Sequence, residues 1–311
     1  MLSIYRMLSI LTEQLKIRNG IYHEEFQYLS LIEHLLNNGT MIQGRNGQAN
    51  TDFGAAMHFN LIDGTLPLLT TKRVAWKTCL KELLWFINGS TDNNILSKQN
   101  VKIWNGNASR EFLDSRGLIN NAEGDLGPIY GHQWRHFNAQ YTTCNESYEG
   151  KGVDQLQYVI DCLRDPEKRT SRRIVMSAWN PCQIDEMALP PCHVLCQFNV
   201  IDDKLSCSLY QRSGDIGLGV PFNIASYSIL THLLAHHCGL VAHEFIYYLG
   251  NVHIYDDHID ALQEQIGRDP YKFPTISFAC EPKDSINDYF LDDFVINDYN
   301  HHAIVKMEMR K

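Results

Sequence analysis

Residues 222–237 constrain the fold most, because they carry apolar side chains on nearly every side of a helical wheel. A surface helix needs only one apolar stripe, so this pattern predicts a buried central helix with other elements packed around it. Three strand candidates precede it, at 173–179, 194–200 and 205–212, and a fourth follows at 245–249. Within 205–212, Leu205, Cys207 and Leu209 alternate with Ser206, Ser208 and Tyr210, a period of two that sets Arg212 on the polar face. Helical spacing predicts a helix at 24–37, where Phe26, Leu29, Ile32, Leu35 and Leu36 recur before Asn38-Gly39 stops it. Further helices are expected at 71–88, at 153–163 and at 256–266, the last opened by two acids that suit the positive end of a helix dipole. Residues 45–50 read as a polar loop, 106–123 as a surface insertion with a short helix at 110–115, and 304–309 as a short final strand. With no internal repeat and no low-complexity linker, this order predicts a single mixed α/β domain at 23–311 behind an N-terminal extension, 1–22.

A chain of 311 residues with 44 % apolar side chains can build a core without a disulfide or metal staple. Its nine cysteines show no paired spacing and read mostly as small buried hydrophobes in a reducing compartment, with the cytoplasm expected first and the nucleus second. The net charge of −9 argues against broad nucleic-acid binding, though not against a local pocket for one small anion. The start of the chain is only weakly apolar (Leu2, Ile4, Met7, Leu8) and is broken by Ser3, Tyr5 and Arg6, so neither a membrane span nor a signal peptide is expected. Fourteen histidines invite a metal hypothesis, but none has the spacing and flanking acids of a metal site, and no metal is expected.

The chemistry concentrates in one short span. Leu189-Pro190-Pro191-Cys192-His193 puts a thiol after a rigid Pro-Pro pair, and Gln211-Arg212-Ser213-Gly214-Asp215 and Pro221-Phe222-Asn223 follow. A nucleophile, a fixed cation, a carboxylate and a carboxamide together suit addition of a thiolate to an electron-poor ring that carries a phosphate. Arg212 is expected to lower the Cys192 pKa, since opposite charge favours thiolate. Each residue also has a plainer reading. A lone cysteine is more often packing, most arginines are solvated, Asn223 suits a helix N-cap, and Ile103-Trp104 suits a core. Glu82 stands out because it lies among Leu80, Leu83, Leu84, Trp85 and Phe86, company from which carboxylates are usually kept.

An ordered set of segments then resembles the thymidylate synthase family. They are Pro67-Leu68-Leu69-Thr70-Thr71-Lys72-Arg73, Glu82-Leu83-Leu84-Trp85-Phe86, Gly124-Asp125-Leu126-Gly127-Pro128, Gln133-Trp134-Arg135, Arg172-Arg173-Ile174, Ala178-Trp179-Asn180-Pro181, the Cys192 and Arg212 segments, Gly219-Val220-Pro221-Phe222-Asn223 and His253-Ile254-Tyr255. The likeness runs from about residue 24 onward, and the 106–123 insertion is more like the eukaryotic form than the short bacterial one. The resemblance implies an α+β fold whose large mixed twisted sheet stacks back to back with that of a second subunit in a homodimer. It implies reductive methylation of dUMP to dTMP with 5,10-methylenetetrahydrofolate as co-substrate. Cys192 would be the nucleophile that adds to uracil C6, and Glu82 and Tyr130 the proton-handling groups. Asn223 would read O4 and N3–H of uracil, where relatives acting on dCMP carry aspartate. Arg45, Arg212 and Ser213 would hold phosphate, with Arg172 and Arg173 reaching in from the partner subunit. His193 would order the nucleophile and Gln211 support the ring. His253 and Tyr255 would bind the sugar 3′-hydroxyl. Asp215, Gly219, Phe222, Ile103 and Trp104 would form the folate wall. The alternatives are a pyrimidine nucleotide hydroxymethylase, in which water replaces hydride, and a non-catalytic nucleotide-binding homologue.

Four places depart from the family's pattern. The loop Arg45-Asn46-Gly47-Gln48-Ala49-Asn50 replaces a Gly/Thr-rich one and is about one residue shorter. Asn105 replaces an acid after Ile103-Trp104. Asn251 and Asp257 stand where Asp and Asn are usual, as though the two types were exchanged across His253-Ile254-Tyr255. Arg310-Lys311 replaces a small apolar pair, and weaker closure over the folate is the expectation from that change.

Overall fold

The computed structural model describes residues 15–310; residues 1–14 of the expected 1–22 extension, and Lys311, lie outside the described residues. In chain order the elements are a short hairpin of β1 (Ile17–Arg18) and β2 (Ile21–Tyr22), α1 (Phe26–Asn38), β3 (Thr40–Gly44), β4 (Gly47–Asn60), α2 (Trp76–Ile87), α3 (Asn93–Lys98), α4 (Arg110–Ser115), α5 (Tyr130–His136) and α6 (Gln155–Arg164). The second half adds β5 (Val175–Ser177), β6 (His193–Ile201), β7 (Lys204–Asp215), α7 (Gly219–Cys238), β8 (Val241–Tyr255), α8 (Ile259–Ile266) and a hairpin of β9 (Thr275–Phe278) with β10 (Phe294–Asn297).

The predicted central helix is α7. Sixteen of its twenty residues are buried, including Leu230, Leu233 and Leu234, which leaves no face for solvent. Each such leucine contributes roughly 2 kcal/mol by leaving water. Gly239 ends the helix in the left-handed region at φ 69°, where a glycine carries no Cβ penalty. The helix is the crossover between β7 and β8, and those two strands are parallel, as a crossover connection permits. All other pairings in the main sheet are antiparallel, giving a six-stranded mixed sheet in the order β3-β4-β8-β7-β6-β5. Leu205, Cys207 and Leu209 of β7 face the core, and the expected alternation holds as far as Arg212.

Several boundaries differ from expectation for identifiable reasons. The second helix starts at Trp76 instead of residue 71, because Glu25 captures the segment before it. The buried Glu25 carboxylate accepts from both N–H and hydroxyl groups of Thr70 and Thr71 at 2.6–2.8 Å, which fixes a non-helical turn. Residues 45–50 are not a loop: a two-residue turn at Arg45-Asn46 closes a hairpin, and the 14-residue β4 runs on through polar residues. The strand expected at 245–249 extends over all of Val241–Tyr255. Residues 304–309 form no strand. They run across the surface, with the Glu308 carbonyl held by His258 Nε2 at 2.8 Å. The first turn of the expected 256–266 helix is a 3₁₀ turn, Asp256–His258.

Candidate active site

The two parallel strands β7 and β8 end side by side, with Asp215 opposite His253 in register. Ligands in open α/β sheets bind beyond such carboxyl ends, and here a cleft of about 660 Å³ opens at that place. The ends of β7 and β8, the start of α7, the start of β6, the β3–β4 turn and α2 all contribute side chains to it. Of the residues singled out from the sequence, Arg45, Glu82, Ile103, Trp104, Tyr130, Cys192, His193, Gln211, Arg212, Ser213, Asp215, Gly219, Asn223, His253 and Tyr255 line this one cleft. Three do not. Phe222 is half-buried and packs against the core beside it. Arg172 and Arg173 are exposed, next to the edge strand β5.

Cys192 sits half-buried at the base of the cleft, held by its backbone: its N–H donates to the Tyr130 hydroxyl oxygen at 2.7 Å, and its carbonyl accepts from Arg212 N at 2.9 Å. The expected depression of the thiol pKa is not the net result. Burial raises it, and Arg212, Arg45 and the Tyr130 hydroxyl only partly offset that. Arg212 is also a clamp. Its Nε and Nη2 donate to the Pro191 and Pro190 carbonyls at 2.9 Å, and its guanidinium lies over Trp179 at 5.6 Å. It thereby fixes the Pro-Pro turn that presents the thiol, beyond adding charge. The Tyr130 ring packs at a tilt against Phe86, centroids 4.8 Å apart, and burial holds its hydroxyl protonated far above neutrality.

Glu82 keeps part of its surface open to the cleft, yet its surroundings are apolar enough to push its pKa up to about 7, opposed only by the Trp104 indole N–H, which donates at 2.7 Å. A carboxyl that titrates near neutrality is matched to general acid–base work. His193 is buried and held neutral, its pKa pushed down to about 4 by burial despite a hydrogen bond with Asn223. Asn223 also lies within 3.4 Å of the Tyr247 hydroxyl, which donates more closely to Gln211 Oε1 at 2.5 Å. Gln211 Nε2 in turn donates to the Ser213 carbonyl at 2.7 Å. Sequence reasoning missed Tyr247. Its signal was a tyrosine at an inward position of β8, which must find a partner for its O–H when buried.

The four departures resolve differently. Asn105 accepts from Asn93 and Ser97, at 3.1 and 2.9 Å, and serves α3. Asn251 and Asp257 are not a reciprocal exchange. Asn251 Nδ2 donates to Thr51 at 2.6 Å and its Oδ1 meets His253 Nδ1 at 2.9 Å, so the amide sets the His253 ring with Nε2 left as an acceptor for a hydroxyl. Asp257 pairs with Arg310 instead. Arg310, expected only to weaken closure, lines the cleft together with Met309, as do Asn107, Phe112 and Arg116 of the insertion, for which the sequence suggested no role.

Comparison with known proteins fits this geometry. A sequence model described as thymidylate synthase matches residues 26–311. The chain belongs to the thymidylate synthase family. It is 52 % identical over 289 residues to thymidylate synthase 1/2 of Encephalitozoon cuniculi, covering 92 % of this chain and 97 % of the relative. Identity to thymidylate synthase of Homo sapiens is also 52 % over 289 residues, covering 92 % and 91 %. A probable thymidylate synthase of Schizosaccharomyces pombe is 52 % identical over 298 residues, but the chain spans only 47 % of that relative's length. Membership makes the chain an enzyme of the methyltransferase class. Among the described residues no group of three or more metal-binding side chains occurs, and no helix is long and apolar enough to cross a membrane.

Proposed function

We propose that this chain converts dUMP to dTMP through a covalent Cys192 adduct, with 5,10-methylenetetrahydrofolate as second substrate. The observation that carries the reading is the meeting of Cys192, Arg45, Arg212 and Asn223 in one cleft. The phosphate goes between Arg45 and Arg212, whose planar forks suit its oxygens, with Ser213 adding a hydroxyl. Asn223 reads the uracil edge, and the His253 ring, set by Asn251, takes the 3′-hydroxyl with Tyr255. Cys192 gives its proton to water in the cleft, its thiolate Sγ bonds to C6, and the C5=C6 electron pair moves toward C5 and O4. The second substrate supplies a one-carbon unit and a hydride. Ile103, Trp104, Phe112 and Met309 offer it a flat apolar wall, and Asp215 a carboxylate acceptor for ring N–H groups. Glu82 takes the C5 proton through a water that the Tyr130 hydroxyl orders as the folate amine leaves the new CH2 group. Hydride from the folate then adds to the resulting exocyclic methylene, and the S–C6 bond breaks as the ring C5=C6 double bond returns. Trapping with 5-fluoro-dUMP and methylenetetrahydrofolate tests the reading. A stable protein adduct carried on the Cys192 peptide is expected, and intact mass with no adduct would overturn it.

The working unit in this proposal is a homodimer. Leu195, Tyr210 and Tyr248 are cross-strand neighbours in register and remain 37, 39 and 48 % exposed on the sheet face away from α7. A row of large side chains on an uncovered sheet face fits a second sheet packed against it. Arg172 and Arg173, unused by their own cleft, would complete the partner's phosphate site. Mixing Cys192→Ala and Arg173→Ala subunits is expected to restore about one quarter of wild-type turnover per subunit, from random pairing with one intact site in each mixed dimer. Mixed subunits that exchange yet stay inactive would remove Arg173 from the partner's site.

A further inference from the structure

Three of the sequence departures meet at one guanidinium. Arg310 Nε donates to both oxygens of Asp257 at 3.2 Å, Nη2 reaches Asp256 at 2.6 Å and Asp257 at 2.9 Å, and Nη1 donates to the Asn46 carbonyl at 3.2 Å. The group also lies over the Tyr255 ring at 5.6 Å. Gly47 makes room for it: a Cβ there would come within 2.6 Å of Nη1, and its φ of +116° disfavours any side chain. Arg310 thus ties together the altered turn that carries Arg45, the aspartate at 257 and the altered tail. A second tie lies just upstream, where His258 Nε2 meets the Glu308 carbonyl at 2.8 Å and a Cβ on Gly217 would meet Met307 Sδ at 3.0 Å.

We infer that Arg310 is a positioning residue: an ion-pair strap that holds the 307–310 segment as one wall of the cleft and fixes the Arg45 turn across its mouth. The inference deepens the proposed function, on which it rests for the identity of the ligands, and it reverses the expectation that a cationic tail loosens the site. A small apolar residue at 310 would have no means of bridging Asn46 to Asp256 and Asp257, so the changes at 46–48, 257 and 310 form one unit. Because the strap is built of partly exposed charges, it weakens with salt.

The test compares wild type with Arg310→Ala, Asp256→Asn/Asp257→Asn and the variant combining all three substitutions. In ligand-free protein, backbone amides of 45–48 and 305–310 are expected to exchange hydrogen faster in every variant than in wild type. In turnover, Arg310→Ala is expected to raise the KM of dUMP and of the folate by about fivefold with kcat within about twofold, as for loss of an exposed ion-pair network. The combined variant should be no worse than either parent, and the steep rise of wild-type KM between low and high salt should flatten in all three. Unchanged exchange and KM, or effects that add in the combined variant, would overturn the strap. The exchange measurement needs no activity, so it judges the strap even if wild type fails to methylate dUMP, a result that would instead sink the proposed function.

Discussion

Cys192→Ala protein is expected to lose more than ~10⁴-fold in kcat and to form no adduct with 5-fluoro-dUMP, while unfolding within a few degrees of wild type. The first part follows from covalent catalysis: without Sγ no bond to C6 forms, C5 never becomes a carbon nucleophile, and no other cysteine lines the cleft. The second follows from how the residue is held. Its N–H to the Tyr130 hydroxyl and its carbonyl to Arg212 N are backbone bonds that alanine keeps, and the side chain faces an open cleft, so truncation leaves no closed cavity. Steady-state turnover, intact mass and a thermal melt check the three parts. Residual turnover within tenfold of wild type would end the covalent reading. Glu82→Gln provides the contrast within the same experiment. It should still form the trapped adduct, because it leaves the thiol in place, yet lose turnover by ~10²-fold or more through the proton steps.

What the sequence made legible, and what it hid, separates along physical lines. The all-round apolar pattern of 222–237 forced a central helix, and the period of two in 205–212 placed Arg212 correctly, because both signals are local and strong. The strand β4 was hidden because its residues, Gly47 to Asn60, mix polar and small side chains whose strand character comes from pairing with β8, a partner about 200 residues away. The start of α2 was hidden for a related reason: Glu25 binds Thr70 and Thr71 from 45 residues upstream, and no helical pattern encodes that. Within the site, motif order located most cleft residues but not their electrostatics. Counting Arg212 as a nearby cation predicted a lowered thiol pKa, whereas burial at the base of the cleft outweighs it and two of the arginine's nitrogens hold Pro190 and Pro191. The partners of Arg310 were hidden because they lie at Asn46, Asp256 and Asp257, more than 50 residues away in sequence.

Asn223→Asp should invert the enzyme's choice of pyrimidine, lowering the ratio of kcat/KM for dUMP over dCMP by at least ~10³-fold. Uracil presents an acceptor at O4 and a donor at N3–H, and a carboxamide can answer both at once. An aspartate cannot: ionised it offers only acceptors, so O4 meets a carboxylate oxygen in a buried setting, and unpaired buried polar atoms carry the full desolvation cost. Protonated, it can donate to the unprotonated N3 of cytosine while accepting from the 4-amino group. The surroundings favour that second form. Residue 223 is only 9 % exposed and the neighbouring His193 is held neutral, so burial favours the uncharged carboxyl. Tyr247 limits how far the new side chain can swing, since its hydroxyl is anchored on Gln211 at 2.5 Å and lies 3.4 Å from Oδ1 of the native residue. Competition between the two nucleotides in one reaction, followed by product mass, measures the ratio directly. Asn223 lies inside α7, whose N-cap is Leu218, so it is not the helix cap its sequence position also suits. If dUMP stays preferred by the wild-type margin, Asn223 serves only the buried contacts with His193 and Tyr247, and the ring is read by some other group.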